Sequence, residues 1–166
     1  MQKALVTLVS LLALVACSAA PVVNYTYQIP AASPDLKEAL TTAAQVLTER
    51  GFTIQSVSDL TGMLTTDWKD ISNKNSQAWE GALVGANTVQ LLKLSVRVDQ
   101  KSGAIAVTPN YQTQAQNIYG GGPSAGNSLT LPEKHRATVA SIVGELGGAL
   151  KLVPAQVQVI ERSEPR

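Results

Sequence analysis

Residues 89–99 alternate without a break: Leu92, Leu94, Val96 and Val98 are separated by Lys93, Ser95, Arg97 and Asp99. A period of two puts the aliphatics on one face of a strand and the polar residues on the other. One face is then buried and one is wet, the pattern of an antiparallel sheet. Residues 100–103 are turn chemistry, and residues 104–112 return with Ile105, Val107 and Tyr111 on one face. The pair predicts a hairpin whose apolar face other elements must cover. Pro109 has no N–H to give, so an edge position or a bulge is expected near it.

Two amphipathic helices supply that cover. The first is expected over residues 34–50, with Ser33 as N-cap, Pro34 in the first helical position and Asp35 and Glu38 near the positive dipole end. Leu36, Leu40, Ala43 and Leu47 form its apolar stripe, and Arg50-Gly51 is a fitting C-terminal end. The second is expected over residues 132–150, with Thr130 and Glu133 as a capping box and Val139, Ile142, Val143, Leu146 and Leu150 on one side. Gly144, Gly147 and Gly148 weaken it unless they permit close packing.

Further strands are expected at residues 22–29, 52–57 and 63–68, and a last one at 155–160. Leu64, Thr66 and Trp68 share a face in that reading. Residues 70–87 and 113–128 read as loops, the first with room for a short helix at 76–83. Residues 161–166 read as a disordered tail. The fold class is α+β: an antiparallel sheet of four to six strands with two amphipathic helices packed on one face.

The N-terminus reads as an address. Lys3 precedes an uncharged run of 13 residues, 4–16, too short to span a bilayer but suited to a signal peptide. The run ends in Leu14-Val15-Ala16-Cys17, which resembles the lipobox of Gram-negative bacterial lipoproteins. The resemblance implies cleavage between Ala16 and Cys17, a diacylglycerol thioether on Cys17 and acylation of the new amino group. Such lipoproteins with aspartate after the cysteine stay in the inner membrane. Ser18 therefore implies the outer membrane. An ordinary secretory signal cut near Ala20 is the plainer alternative. The expected organisation is a signal peptide at 1–16, an acylated tether at 17–21, one domain at 22–160 and the tail. Removing Lys3 with the signal leaves 12 basic and 12 acidic side chains, so no field attracts nucleic acid.

Chemistry-bearing residues are sparse. Cys17 is the one cysteine and His135 the one histidine, which excludes an intramolecular disulfide and a cysteine-cluster metal site. His135 reads as an exposed polar position in the first turn of a helix. Residues 121–128 approach a phosphate loop, but Asn127 stands where the lysine belongs. Asp67 and Asp70 are the nearest approach to a carboxylate pair and read as a solvated strand face. No catalytic residue, cofactor or metal is expected. Trp68, Trp79, Tyr111 and Tyr119 are the candidate binding residues, because tryptophan and tyrosine anchor many interfaces. Core packing is the alternative for Trp68.

Arg50-Gly51-Phe52-Thr53-Ile54 followed by Gly62-Met63-Leu64-Thr65-Thr66-Asp67-Trp68 resembles the helix-grip modules of the C subunit of the outer-membrane β-barrel assembly complex, over about residues 36–112. The chain has one such module, without that subunit's second module and long N-terminal segment. The resemblance implies no catalytic residues. The expected function is a non-enzymatic, lipid-anchored outer-membrane lipoprotein facing the periplasm. It would be an accessory or scaffold in envelope assembly, with the bilayer and an envelope protein as partners. The alternatives are a module binding a lipid, glycan or peptide in a helix-sheet groove, and a carboxylate-dependent hydrolase.

Overall fold

The computed structural model describes residues 22–31, 35–72, 86–117, 127–128, 130–152 and 157–164. The elements run β1 (Val22–Pro30), α1 (Leu36–Glu49), β2 (Ile54–Ser58), β3 (Met63–Thr66), β4 (Lys69–Asp70), β5 (Ala86–Asp99), β6 (Ala104–Asn117), β7 (Asn127–Ser128), α2 (Glu133–Ala149) and β8 (Gln158–Glu164). The sheet is antiparallel, in the order β2-β3-β5-β6-β1-β8. That path has six strands. The two-residue strands β4 and β7 pair beside β5 and β6 and bring the sheet to eight, beyond the four to six expected.

The β5–β6 hairpin is the spine, paired continuously from Ala86↔Asn117 to Asp99↔Ala104. Both strands are longer than their clearest alternation, so part of the expected loops (residues 86–87 and 113–117) is strand. Leu92, Leu94, Val96 and Val98 are buried with Ile105, Val107 and Tyr111, as the alternation requires. Tyr25, Tyr27 and Ile29 of β1 and Leu64 of β3 extend that face sideways. Both helices cover it. Helix α1 contributes Leu40, Ala43 and Leu47, and α2 contributes Val139, Ile142, Val143 and Leu146. Arg50, at the end of α1, ties the helices together through a two-pronged ion pair with Glu145. No helix among the described residues is long and apolar enough to cross a membrane.

Pro109 explains a seam. Its pairing with β5 continues at Leu94↔Pro109, so the side without an N–H faces β1. The β1–β6 ladder accordingly stops at Tyr27↔Val107, and β7 takes up β6 again at Gln112↔Ser128. The expected edge character is therefore local, on a strand that is otherwise central.

Several boundaries move. Ser33 and Pro34 lie outside the described residues, and the N-cap is Asp35, whose carboxylate accepts from Glu38 N at 2.7 Å. Thr130 does not close a capping box on α2. Its hydroxyl accepts from Val23 N at 2.9 Å, tying the start of α2 to the start of β1. Residues 161–164 are not a disordered tail. They belong to β8, which pairs with β1 from Gln28↔Gln158 to Val22↔Glu164. The possible short helix at 76–83 and the phosphate-loop-like glycines lie outside the described residues.

Candidate functional site

Two tyrosines on the helix-facing side of β1 carry hydroxyls into a layer of aliphatics, and a buried hydroxyl needs a partner. The first turn of α2 supplies one. Tyr27 Oη donates to the Arg136 carbonyl at 3.4 Å, and the Arg136 guanidinium lies 5.0 Å from the Tyr25 ring centroid. Such a cation–π contact contributes about 0.5–2 kcal/mol. Burial pushes the Tyr27 hydroxyl above its ordinary value, against the opposing charge of Arg136. Glu133 reaches Arg136 only at 4.0 Å and is 93% exposed, so it neutralises the guanidinium weakly. Arg136 Nε is buried with no hydrogen-bond partner among the described residues.

These side chains wall a groove of about 420 Å³ between α2 and the β1–β8 edge. Tyr25, Tyr27, Ala137, Ala140 and Val159 give it an apolar floor and sides. Glu133, Arg136 and Glu161 stand in its lining as the charged groups. Val159 is 50% exposed, because nothing among the described residues covers β8 where it passes beyond α2.

His135 is not an exposed polar position. With its proton on Nε2 the ring donates to Gln90 Oε1 at 3.0 Å, and it packs on Tyr111 with centroids 5.9 Å apart. Burial, helped by Lys134, holds its pKa below the ordinary value. Tyr111 is itself buried, and burial raises its hydroxyl pKa. Tyr111 is therefore part of the core and does not line a groove.

Trp68 does not continue the Leu64–Thr66 face. Strand β3 ends at Thr66, Asp67 Oδ1 accepts from Trp68 N at 2.8 Å, and the indole is 38% exposed beside the β3–β4 break. It lies on the opposite side of the sheet order from the α2–β8 groove. The carboxylates are occupied locally: Asp67 holds Trp68 N, and Asp70 accepts from Ser72 N at 2.8 Å. Neither addresses a common cleft through these bonds. Ala16, Cys17, Trp79 and Tyr119 lie outside the described residues. Among the described residues no three His, Cys, Asp or Glu side chains converge as a metal would need.

Arg136 and Val159 are the groove residues that sequence reading missed. The available signal was the spacing of Tyr25 and Tyr27, two hydroxyl-bearing rings on a face that had to be buried.

No protein-family model and no curated protein matches this chain. Among solved structures it is similar to a DUF4468 family protein from Bacteroides ovatus, at 13% identity over 80% of this chain and 81% of that one, with a TM-score of 0.35. That likeness is too distant to carry a functional argument. The fold places the protein in the α+β class, with helices on one face of an antiparallel sheet.

Proposed function

We propose that the protein is a lipid-anchored outer-membrane lipoprotein facing the periplasm, which serves the cell envelope as a non-enzymatic accessory or scaffold. The observation that carries this is Leu14-Val15-Ala16-Cys17, placed directly after an uncharged apolar run. Each acyl CH₂ buried in the bilayer contributes about 0.8 kcal/mol, so two or three chains on Cys17 hold without help from the folded surface. Strand β1 begins at Val22, five residues beyond Cys17. A fully extended tether of that length spans at most about 18 Å. The anchor thus draws the Val22 end of the sheet, with the first turn of α2, toward the bilayer. The β2–β3 turn, with its fully exposed Leu60, lies at the opposite end and is free to meet a partner. The residues that resemble the assembly-complex modules form the α1–β2 connection and the β2–β3 hairpin with its exit.

Mass spectrometry of the mature N-terminus, with sucrose-gradient fractionation of the envelope, tests the proposal. A triacylated Cys17 in the outer-membrane fraction is expected. Cys17→Ser is expected to remain unprocessed and unlabelled by palmitate, and Ser18→Asp to shift the protein toward the inner membrane. A soluble periplasmic product with a free thiol would overturn it.

A second reading, a module that binds its ligand between helix and sheet, is favoured by the α2–β1–β8 groove. It is compatible with the first, since a scaffold acts by binding.

A further inference from the structure

We propose that the free edge of β8 takes an extended segment of a different protein as an added antiparallel strand, with one apolar side chain of that segment seated in the groove against α2. The inference rests on the reading that the domain acts by binding, and it names the kind of partner bound.

Strand β8 ends the sheet order, and β1 occupies its inner side from Val22↔Glu164 to Gln28↔Gln158. No described strand lies on the outer side. Its outward N–H and C=O groups are therefore a template for another strand. The groove continues the apolar layer past this edge, since Val159 and Glu161 of β8 line it together with Ala137 and Ala140 of α2. The helix is kept low along the same flank. Positions 140, 144 and 148 share one stripe by the helical period, and a Cβ on Gly144 or Gly148 would meet nothing within 4 Å. A side chain entering from the edge thus has a floor, two walls and an open approach.

The occupant is not a second copy. A two-fold antiparallel pairing of β8 with itself keeps helix-side residues opposite helix-side residues. Centred on residue 160, it places Val159 against Glu161. Centred on 161 or 162, it sets Glu161 or Arg162 against itself. No such register joins Glu161 to Arg162, because neighbours on a strand face opposite ways. The charges that block self-pairing also specify the partner. An antiparallel segment complementary to this edge offers an acidic residue opposite Arg162, then a basic residue opposite Glu161, a β-branched residue opposite Ile160 and a larger apolar residue opposite Val159. That apolar residue shares the helix side with Val159, so its side chain enters the groove.

The test uses the mature acylated protein in detergent micelles and two synthetic peptides, Ac-TEKVLTV-NH2 and its charge-swapped counterpart Ac-TKEVLTV-NH2. Amide hydrogen exchange is followed by mass spectrometry. The first peptide is expected to slow exchange in residues 158–164, and the second to bind about tenfold more weakly. The double variant Glu161→Lys/Arg162→Glu, altered only at exposed edge positions, is expected to reverse that preference. Equal protection by both peptides, no protection at millimolar peptide, or a preference unchanged in the variant would overturn the inference. The mass of the N-terminus is read in the same preparation. An unacylated Cys17 with intact strand binding would defeat the anchoring proposal alone.

Discussion

His135 Nε2 sits 3.0 Å from Gln90 Oε1, across the interface between the first turn of α2 and the longest strand of the sheet. The contact joins residues 45 positions apart and fixes how α2 enters the structure. Burial first, and Lys134 second, depress the folded pKa of His135 below 6.5. The unfolded chain therefore binds more protons than the folded one between the folded pKa and 6.5, and stability rises with pH in that window. The contribution is fully present above 6.5 and is lost as pH falls toward the folded value. Thermal unfolding at closely spaced pH values is expected to show this slope in the wild type and a flatter profile in His135→Gln. Equal slopes would show that His135 is not the group responsible.

Thr66 is the buried polar residue of the sheet core among the described residues. Its hydroxyl donates to the Asp67 carbonyl and accepts from Leu94 N, both at 3.0 Å. The second bond fastens β3 to β5 just where the chain leaves the strand. Thr66→Val keeps the shape and strands the Leu94 N–H, which costs about 1–3 kcal/mol. Urea denaturation is expected to show a lower midpoint with an unchanged slope, since the exposed surface is the same.

Gly62 closes the β2–β3 turn with φ +63°, and its carbonyl accepts from Val98 N at 2.7 Å. A Cβ there would stand 2.5 Å from the Val98 carbonyl oxygen, a backbone atom that cannot step aside. The left-handed conformation itself adds about 1–2 kcal/mol for a side chain. Gly62→Ala is therefore expected to destabilise by about 2–4 kcal/mol in chemical denaturation. A loss below about 0.5 kcal/mol, the range of an ordinary surface change, would contradict the close packing of this turn.

The layers of this fold were legible where each residue's environment repeats along the chain. Alternation in β5 and β6 places Leu92 to Val98 and Ile105 to Tyr111 correctly, because strand geometry alone dictates it. Arg50-Gly51 ends α1 as expected, with Gly51 at φ +74°, because a helix C-terminus is a local event. The groove was not legible, since its members come from three separated segments. Tyr27 meets Arg136 across 109 residues, and Val23 meets Thr130 across 107. A capping box and an exposed first-turn histidine were reasonable local readings. Both gave way to bonds with β1 and β5, which no short window contains. Trp68 failed for a different reason: alternation was carried two residues past Thr66, where β3 stops and the chain turns into β4.

Gly144 and Gly148 provide the opposite case to Gly62. Both lie on the outer flank of α2, and the close packing that would explain glycine there is absent, since a Cβ at either position meets nothing within 4 Å. Each costs the helix about 0.8–1 kcal/mol against alanine through backbone entropy and propensity. The double variant Gly144→Ala/Gly148→Ala is therefore expected to stabilise by about 1.5–2 kcal/mol, near additive because methyls one turn apart need not touch. For a domain of this size that is a rise in Tm of roughly 3–8 °C. Calorimetry of the two single variants and the double checks both sign and additivity. A fall in Tm would mean that the outer flank of α2 is already covered in the folded protein, contrary to the open approach seen beside the groove.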